Sequence, residues 1–305
     1  MSEIIQSTSE KIKKLQVQGA RNVAIAAVKA IQTQALQTKT GSKKQFLAEL
    51  KQAQEIFATT RETEPLMRNA IQYLITQTEN SATEKVTELI QIVNGKATQF
   101  LRDLEESKEI IAEIGAKRIQ DNSVVFTHCH SSTVNRLFAK AKAAGKNFKV
   151  ICTETRPAFQ GRITAKKLVD LGIETTFIVD SAARTFMNKV DAIFVGADAI
   201  TSEGNVVNKI GTSSIAVLAM EARTPFYVVT ELLKFNPETL SGECEKIEHR
   251  NINEVWSEAP EGLKICNPAF DVTPYRYIHG LICEEGIIAP QTILQVVKPK
   301  YPWLF

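Results

Sequence analysis

From Ile119 onward, short apolar runs alternate with amphipathic segments, and this alternation is the strongest constraint on the fold. The apolar runs are rich in the β-branched and aromatic residues that favour strands. The clearest of them span 123–128, 148–154, 174–179, 191–197 and 225–230, and a weaker run follows. The segments between them have helical spacing and span 133–144, 162–171, 182–189 and 211–222. Strands alternating with helices predict a parallel, doubly wound α/β sheet, which binds ligands beyond the carboxyl ends of its strands.

The N-terminal part of the chain has a different composition. Residues 1–118 contain four of the 14 glycines and one of the 10 prolines. They are rich in Ala, Gln, Lys, Glu and Leu, which favour helices, and their apolar residues recur at helical spacing, as between Val23 and Ile31. We therefore predict an α-helical N-terminal domain of four to six helices over 1–118, followed by an α/β domain over 119–305. The apolar C-terminal sequence YPWLF is expected to dock on the same chain.

The charge of the chain is nearly balanced, with 37 Lys and Arg against 34 Asp and Glu and a net charge of +3 at pH 7. So small an excess does not favour binding to nucleic acid or to an anionic membrane surface. No apolar run approaches the roughly 18 residues that a membrane span needs, and the N-terminal sequence lacks the apolar core of a secretion signal. We therefore expect a cytoplasmic protein without nucleic-acid or membrane partners.

Cysteine is the most reactive residue type at the predicted strand ends. The chain has five cysteines and no CxxC pair, which argues against a disulfide framework or a zinc ribbon. Cys129 follows the first strand and precedes a helix that starts near Ser131 or Ser132. The positive end of the helix dipole favours a thiolate and also binds anions. Alternation along the strand is expected to turn the neighbouring His128 and His130 to the opposite face.

A carboxyl group follows another predicted strand. Asp198 comes directly after the apolar run 191–197, where it caps the next turn or points into the cleft. If the two strands are neighbours, Asp198 and Cys129 converge at one edge of the sheet. A thiol and a carboxyl group in that arrangement suit proton transfer, because one takes a proton from carbon while the other gives or holds one.

Several basic residues are expected at the same edge of the sheet. They are Arg156, Arg162, Lys209 and Lys234, and Asn208 accompanies Lys209. Local cations in a chain of nearly neutral charge favour a small phosphorylated ligand over nucleic acid. The glycine fingerprints of dinucleotide-binding proteins and of P-loop enzymes are both absent, and no closely spaced set of metal ligands is evident. We therefore expect no cofactor and no metal.

Four motifs, taken together, resemble a known family. They are THCHSS at 127–132, ETRPAFQGR at 154–162, GADAITSEGNVVNKIGT at 196–212 and YVVTELLKF at 227–235. The family comprises the regulatory α, β and δ subunits of eukaryotic translation initiation factor two-B, methylthioribose-1-phosphate isomerase and ribose-1,5-bisphosphate isomerase. The resemblance implies a helical N-terminal domain, a Rossmann-like C-terminal domain and a homo-oligomer that is dimer-based and possibly hexameric.

The resemblance also implies roles for individual residues. Cys129 and Asp198 match the catalytic positions of the isomerases, which the regulatory subunits typically lack. Substrate-binding positions carried over from the motifs are Gly19, Ala20, Arg21, Arg61, Ser131, Ser132, Thr133, Asn208, Lys209 and Lys234. The chain departs from the family at Gln18 and Arg21, where the bisphosphate enzymes tend to have arginine and glycine, so this phosphate contact is not fixed by the motif.

Within the family, ETRPAFQGRITAKKL at 154–168 and DVTP at 271–274 resemble ribose-1,5-bisphosphate isomerase most, and the activity that this resemblance implies is conversion of α-D-ribose 1,5-bisphosphate to D-ribulose 1,5-bisphosphate. In archaea such an enzyme would act in nucleoside monophosphate breakdown. We expect a Cys129 thiolate to remove the C2 proton and a protonated Asp198 to give its proton to the ring oxygen. Methylthioribose-1-phosphate isomerase and a non-catalytic regulatory subunit remain the alternatives.

Overall fold

The computed structural model describes residues 2–61 and 63–305, which form two compact units. The first unit comprises the chain up to Glu106 together with Tyr301–Phe305, and the second comprises Ser107–Lys300. No helix in the described part of the chain is both long and apolar enough to cross a membrane.

The described residues before the first strand form five helices, in agreement with the predicted helical region. These are α1 (Glu3–Lys13), α2 (Ala20–Gln37), α3 (Lys43–Ala58), α4 (Pro65–Glu79) and α5 (Val86–Ala116). Local sequence marks their starts, since Ser42 accepts a hydrogen bond from the Gln45 amide and Pro65 occupies the first position of α4. The C-terminal segment belongs to this unit, and the Trp303 ring lies 5.2 Å from the Tyr73 ring.

The second unit contains ten strands and five further helices among its described residues. The strands are β1 (Ser123–Thr127), β2 (Phe148–Thr153), β3 (Glu174–Ile178), β4 (Ala192–Val195), β5 (Ala199–Ile200), β6 (Val206–Lys209), β7 (Phe226–Val229), β8 (Phe270–Thr273), β9 (Gly280–Cys283) and β10 (Gly286–Ile288). The helices are α6 (Ser132–Ala143), α7 (Gly161–Asp170), α8 (Ala183–Met187), α9 (Thr212–Ala222) and α10 (Ile293–Lys300). Each predicted strand and helix of the α/β region is present with ends shifted by a few residues at most.

The main sheet has seven strands in the order β10-β9-β7-β4-β1-β2-β3. Its pairs are parallel, except that the edge strand β10 runs antiparallel to β9. Strands β4, β7 and β9 are buried along their whole length. They are apolar on both faces, as is usual for a parallel sheet covered by helices on both sides. The chain winds outward from β1 in one direction and from β4 in the other, so the strand order reverses between these two neighbours.

A second, antiparallel sheet of three strands has the order β5-β6-β8. Val207 of β6 pairs with Ala199 of β5 and with Val272 of β8. Sequence analysis did not identify this sheet, because strands of two to four residues have too few positions to show a period. The sheet matters for the site because β6 ends with Asn208 and Lys209.

Gly161, at the start of α7, is predicted to tolerate no side chain. A Cβ atom there would lie 1.8 Å from the carbonyl oxygen of Thr153, whereas a Cβ atom at Gly95 in the middle of α5 meets nothing within 4 Å. We expect Gly161→Ala to lower the free energy of unfolding by about 2–3 kcal/mol. The matched Gly95→Ala change should raise it by about 0.5–1 kcal/mol. Urea denaturation followed by circular dichroism measures both; equal stabilities of the two variants would contradict the predicted clash.

Candidate active site

The two catalytic candidates lie on either side of the reversal of strand order. Cys129 follows β1 by two residues, and Asp198 follows β4 by three. The loops that carry them touch, since a Cβ atom at Gly196 would lie 2.9 Å from the Cβ of Ser131. In doubly wound sheets, the crevice at the point where the strand order reverses is the usual ligand site. The sheet topology therefore brings together the thiol and the carboxyl group that the sequence placed on separate strands.

The loop around Cys129 is held by hydrogen bonds to its backbone. Its amide donates to the Thr155 hydroxyl over 2.9 Å, and its carbonyl accepts from the Thr164 hydroxyl over 2.9 Å. The thiol lies 3.6 Å from the side-chain oxygen of Gln160. Cys129 has a φ of 68°, in the left-handed region that residues with a Cβ seldom adopt. Thr155 and Gln160 of the ETRPAFQGR motif and Thr164 of α7 therefore fix the conformation of this residue.

The Cys129 thiol has a raised pKa, so it holds its proton near neutral pH. Burial raises its pKa to about 11, and the carboxylates of Asp198 and Asp180 raise it further. The Lys209 ammonium and the backbone amide of His130 oppose the shift, but burial dominates. The prediction that the helix start favours a thiolate is therefore wrong for the site as folded. A helix terminus gives a partial charge, which does not offset the desolvation of a whole anion.

The two histidines beside Cys129 are occupied by structural contacts. His128 is buried, and its ring contacts the Thr153 hydroxyl over 2.6 Å and the Ile210 carbonyl over 2.9 Å. The His130 ring lies 3.0 Å from the Thr164 hydroxyl. Burial lowers the pKa of both imidazoles, that of His130 to about 4. Strand alternation does not decide their directions, since β1 ends at Thr127 and the backbone turns at Cys129.

Asp198 and its neighbours on the small sheet form the other side of the crevice. The Asp198 amide donates to the Val207 carbonyl over 2.8 Å, which fixes this half-buried residue at the start of β5. Asn208 is buried and donates to the Thr212 hydroxyl over 3.0 Å. The buried Lys209 ammonium lies 4.7 Å from the centre of the Phe270 ring. Because it lowers the pKa of Cys129, Lys209 is the cation that favours a thiolate here.

Lys234, another predicted cation of the cleft, forms a buried ion pair. The Lys234 ammonium lies 3.0 Å from a Glu231 carboxylate oxygen and donates to the Ala197 carbonyl over 2.8 Å. Glu231 also accepts a hydrogen bond from the Thr133 hydroxyl over 3.2 Å. This carboxylate therefore ties the start of α6 to the residue before Asp198. Sequence analysis did not identify Glu231. The available indication was its position after a buried strand and three residues before Lys234.

The start of α6 agrees with the predicted helix start. Ser131 is the N-cap and accepts a hydrogen bond from the Val134 amide over 3.3 Å. Ser132 is the first helical residue and is half-buried. Two of the predicted edge cations are exposed, Arg156 in the loop after β2 and Arg162 in the first turn of α7, and their guanidinium groups lie 5.1 and 3.9 Å from the Phe159 ring centre.

Four predicted binding residues belong to the helical unit. Gly19, with a φ of 84°, is the N-cap of α2, and Ala20 and Arg21 form its first turn. The buried Arg21 guanidinium donates to the Leu104 carbonyl over 2.7 Å and to a Glu105 carboxylate over 2.8 Å.

The remaining predicted residue of the helical unit, Arg61, is also buried and pairs with Glu64 at 3.2 Å. In the second unit the structure brings together Cys129, Ser131, Ser132, Thr133, Asp198, Asn208, Lys209 and Lys234 at the carboxyl edge of the sheet. Among residues 2–61 and 63–305, no three His, Cys, Asp or Glu side chains lie in a group able to hold a metal ion.

Slow alkylation of Cys129 is expected near neutral pH. At pH 8 a thiol with a pKa near 11 is only about 0.1% thiolate, whereas Cys244 and Cys266 are exposed. We expect iodoacetamide to label the two exposed cysteines first, and labelling of Cys129 to speed up about tenfold per pH unit between pH 8 and 10. Peptide mass spectrometry resolves the five thiols. Equal rates for Cys129 and Cys244 at pH 8 would show that the site holds a thiolate.

The family model described as "Initiation factor 2 subunit family" matches residues 16–290. Ribose 1,5-bisphosphate isomerase from Methanocaldococcus jannaschii is 40% identical over 305 residues, 99% of this chain and 97% of that protein. Methylthioribose-1-phosphate isomerase from Acetivibrio thermocellus is 35% identical over 92% of this chain and 87% of that one.

A solved structure extends the agreement to the fold. The crystal structure of the Pyrococcus horikoshii OT3 translation initiation factor eIF-2B matches with a TM-score of 0.83 and 32% identity, over 95% of this chain and 98% of that one. The predicted fold class, a helical region followed by an α/β region, and the resemblance based on four motifs are both confirmed. The chain belongs to the initiation factor 2 subunit family.

Proposed function

We propose that this protein is an aldose–ketose isomerase that converts α-D-ribose 1,5-bisphosphate to D-ribulose 1,5-bisphosphate. The observation that carries the proposal is the convergence of Cys129 and Asp198 at the reversal of strand order, with the Lys209 ammonium beside them. A thiol and a carboxyl group are the two proton carriers that this reaction needs. The name of the Methanocaldococcus jannaschii relative supports the same activity.

The reaction moves protons without changing the overall oxidation state of the sugar. Cys129, as a thiolate, takes the C2 proton, while Asp198 gives a proton to the ring oxygen as the bond from that oxygen to C1 breaks. The resulting enol keeps its phosphate at C1. The Cys129 thiol then returns a proton to C1, and Asp198 takes the proton of the C2 hydroxyl, which becomes the ketone. Both groups end in their starting states.

The neutral thiol of the folded site sets a condition on this mechanism. The reaction needs a thiolate on Cys129 and a proton on Asp198, whereas burial keeps the proton on Cys129. Passing that proton from the thiol to the Asp198 carboxylate gives both groups their working states without changing the net charge of the site. Since Lys209 lowers the pKa of the thiol, it stabilises the thiolate that this transfer produces.

Substrate contacts follow from the remaining groups. Ser131, Ser132 and Thr133 at the start of α6 offer hydroxyl and amide donors to a phosphate, and Asn208, Lys209 and Lys234 contact the sugar and its phosphates. We take the helical domain as residues 1–118 and the catalytic domain as 119–305, and we propose phosphate-binding roles for Gly19, Ala20, Arg21 and Arg61 in the helical domain from the family resemblance.

In the helical domain, Arg21 is already bound to Leu104 and Glu105. The contact proposed for Gly19, Ala20 and Arg21 is therefore through backbone amides at the start of α2, which replaces the side-chain charge missing at Gln18. Arg61, which is buried, is the fourth residue proposed to bind phosphate in this domain.

Two other functional assignments draw on some of the same observations. The Acetivibrio thermocellus relative favours methylthioribose 1-phosphate as the substrate of the same Cys129–Asp198 pair, with one phosphate fewer to bind. A regulatory subunit would have no use for that pair. We further propose a cytoplasmic homo-oligomer, dimer-based and possibly hexameric, that takes a phosphorylated pentose as its small-molecule partner.

A turnover assay with ribose 1,5-bisphosphate and methylthioribose 1-phosphate side by side tests the proposal. Conversion of the bisphosphate should dominate. Cys129→Ala and Asp198→Asn should each lower kcat about 10²–10⁴-fold, because each removes a proton carrier. Cys244→Ala, at an exposed thiol, is the matched control and should keep full activity. Preference for the methylthio sugar would move the substrate assignment, and a well-folded protein that converts neither sugar would overturn the isomerase assignment.

A further inference from the structure

The imidazole of His128, the residue before Cys129, has one definite tautomer. Its Nε2 lies 2.9 Å from the Ile210 carbonyl oxygen, and its Nδ1 lies 2.6 Å from the Thr153 hydroxyl. A carbonyl oxygen only accepts hydrogen bonds, so Nε2 carries the proton and donates it. Nδ1 therefore accepts from Thr153. Burial lowers the pKa of this imidazole, which keeps it neutral.

The same tautomer sets the direction of a chain of hydrogen bonds that starts at Cys129. The Cys129 amide donates to the Thr155 hydroxyl over 2.9 Å, and the Thr155 and Thr153 hydroxyls lie 3.3 Å apart. Because the Thr153 proton goes to His128, the Thr155 hydroxyl is the donor toward Thr153, whose hydroxyl and carbonyl oxygens lie 3.3 and 3.5 Å away. The chain thus runs one way, from the Cys129 backbone through two threonines and His128 to the Ile210 carbonyl.

This chain connects two separate parts of the site. Cys129 follows β1 of the main sheet, whereas Ile210 directly follows Lys209, the last residue of β6 in the small sheet. Gly211 packs against the imidazole, since a Cβ atom there would lie 3.2 Å from the ring, and its φ of 101° favours glycine. The ring therefore fills the space between the loop that carries the thiol and the segment that carries the ammonium group.

We propose that His128 is a positioning residue of the isomerase, whose neutral imidazole, by binding the Ile210 carbonyl, fixes the segment that carries the Lys209 ammonium relative to the loop that carries Cys129. The inference rests on the proposed function, since that reaction uses the thiolate. His128 itself exchanges no proton with the substrate, because both of its nitrogens are engaged within the protein.

The charged groups around this pair come from three elements. Lys209, at the end of β6, favours the Cys129 thiolate, while Asp198 near β5 and Asp180 after β3 oppose it. His128 faces two of the same groups, with Asp180 at 3.8 Å and Lys209. A change at His128 that lets Lys209 move away leaves the two carboxylates dominant around the thiol, so the thiolate becomes harder to form.

Two substitutions separate the contacts of His128. The terminal amide nitrogen of glutamine reaches about as far as Nε2, so His128→Gln retains the donor to Ile210. His128→Asn reaches only as far as Nδ1 and loses that donor. We expect the asparagine variant to alkylate at Cys129 three- to tenfold more slowly at pH 8, measured with iodoacetamide and no sugar phosphate present. The glutamine variant should stay within twofold of the parent.

Turnover gives the second measurement. In His128→Asn, kcat for ribose 1,5-bisphosphate should fall by the same three- to tenfold, its rise with pH should shift to higher pH, and KM should change less than twofold. Lys209→Met should slow alkylation in the same direction. Adding His128→Asn to Lys209→Met should slow alkylation no further, because His128 acts through Lys209.

Several results would overturn the inference. One is a His128→Asn variant in which the alkylation rate at Cys129 is unchanged and only the melting temperature falls. That result would show that His128 has a purely structural role. Additive effects in the double variant would do the same. If His128→Asn fails to fold, a folded His128→Gln variant that alkylates at Cys129 three- to tenfold more slowly than the parent would also overturn the inference. Failure of the proposed function looks different. The alkylation effects would then appear as expected, while the parent protein converted no sugar phosphate.

Discussion

The reversal of strand order between β1 and β4 is the constraint on which the site depends. In a parallel sheet, helices cover both faces, and the chain leaves the crevice in opposite directions on either side of the reversal. The carboxyl ends of β1 and β4 consequently lie side by side with a space between them. Cys129 and Asp198 occupy those two ends. The chemistry that we propose follows from this one topological feature, because it needs a base and an acid on opposite sides of a small ligand.

Burial has opposing effects on this site. It excludes water, which strengthens the influence of Lys209 on any charge that forms, but it also raises the pKa of the Cys129 thiol to about 11. The site can therefore use its thiolate only if the protein supplies a fixed positive charge and a nearby acceptor for the thiol proton. In the proposed mechanism, Lys209 supplies the charge and Asp198 accepts the proton. Their positions are set by the small antiparallel sheet, which begins directly after β4.

Buried polar contacts hold the loops of the site in register. The ion pair of Glu231 and Lys234 joins the start of α6, the end of β7 and the residue before Asp198. Breaking such a pair leaves an uncompensated charge in the interior, at a cost of about 3–5 kcal/mol. The neutral imidazole of His128 makes a comparable connection between β1 and β6. These contacts hold the loops around the crevice in fixed positions, which suits a reaction that moves protons over short distances.

The sequence by itself determined the class of the fold and singled out Cys129 and Asp198 as the candidate reactive groups. Local patterns predict secondary-structure elements and their ends. The alternation of strands and helices from Ile119 and the low glycine and proline content of residues 1–118 therefore predicted the two regions of the fold. The same patterns placed Cys129 and Asp198 directly after apolar strands. Only the tertiary structure decided which groups meet and how they are charged. The three-stranded sheet, the Glu231–Lys234 pair, the exposure of Arg156 and the raised pKa of Cys129 all arise from contacts between residues distant in the chain. Burial and pairing of charges depend on the folded surroundings, and no local pattern records them.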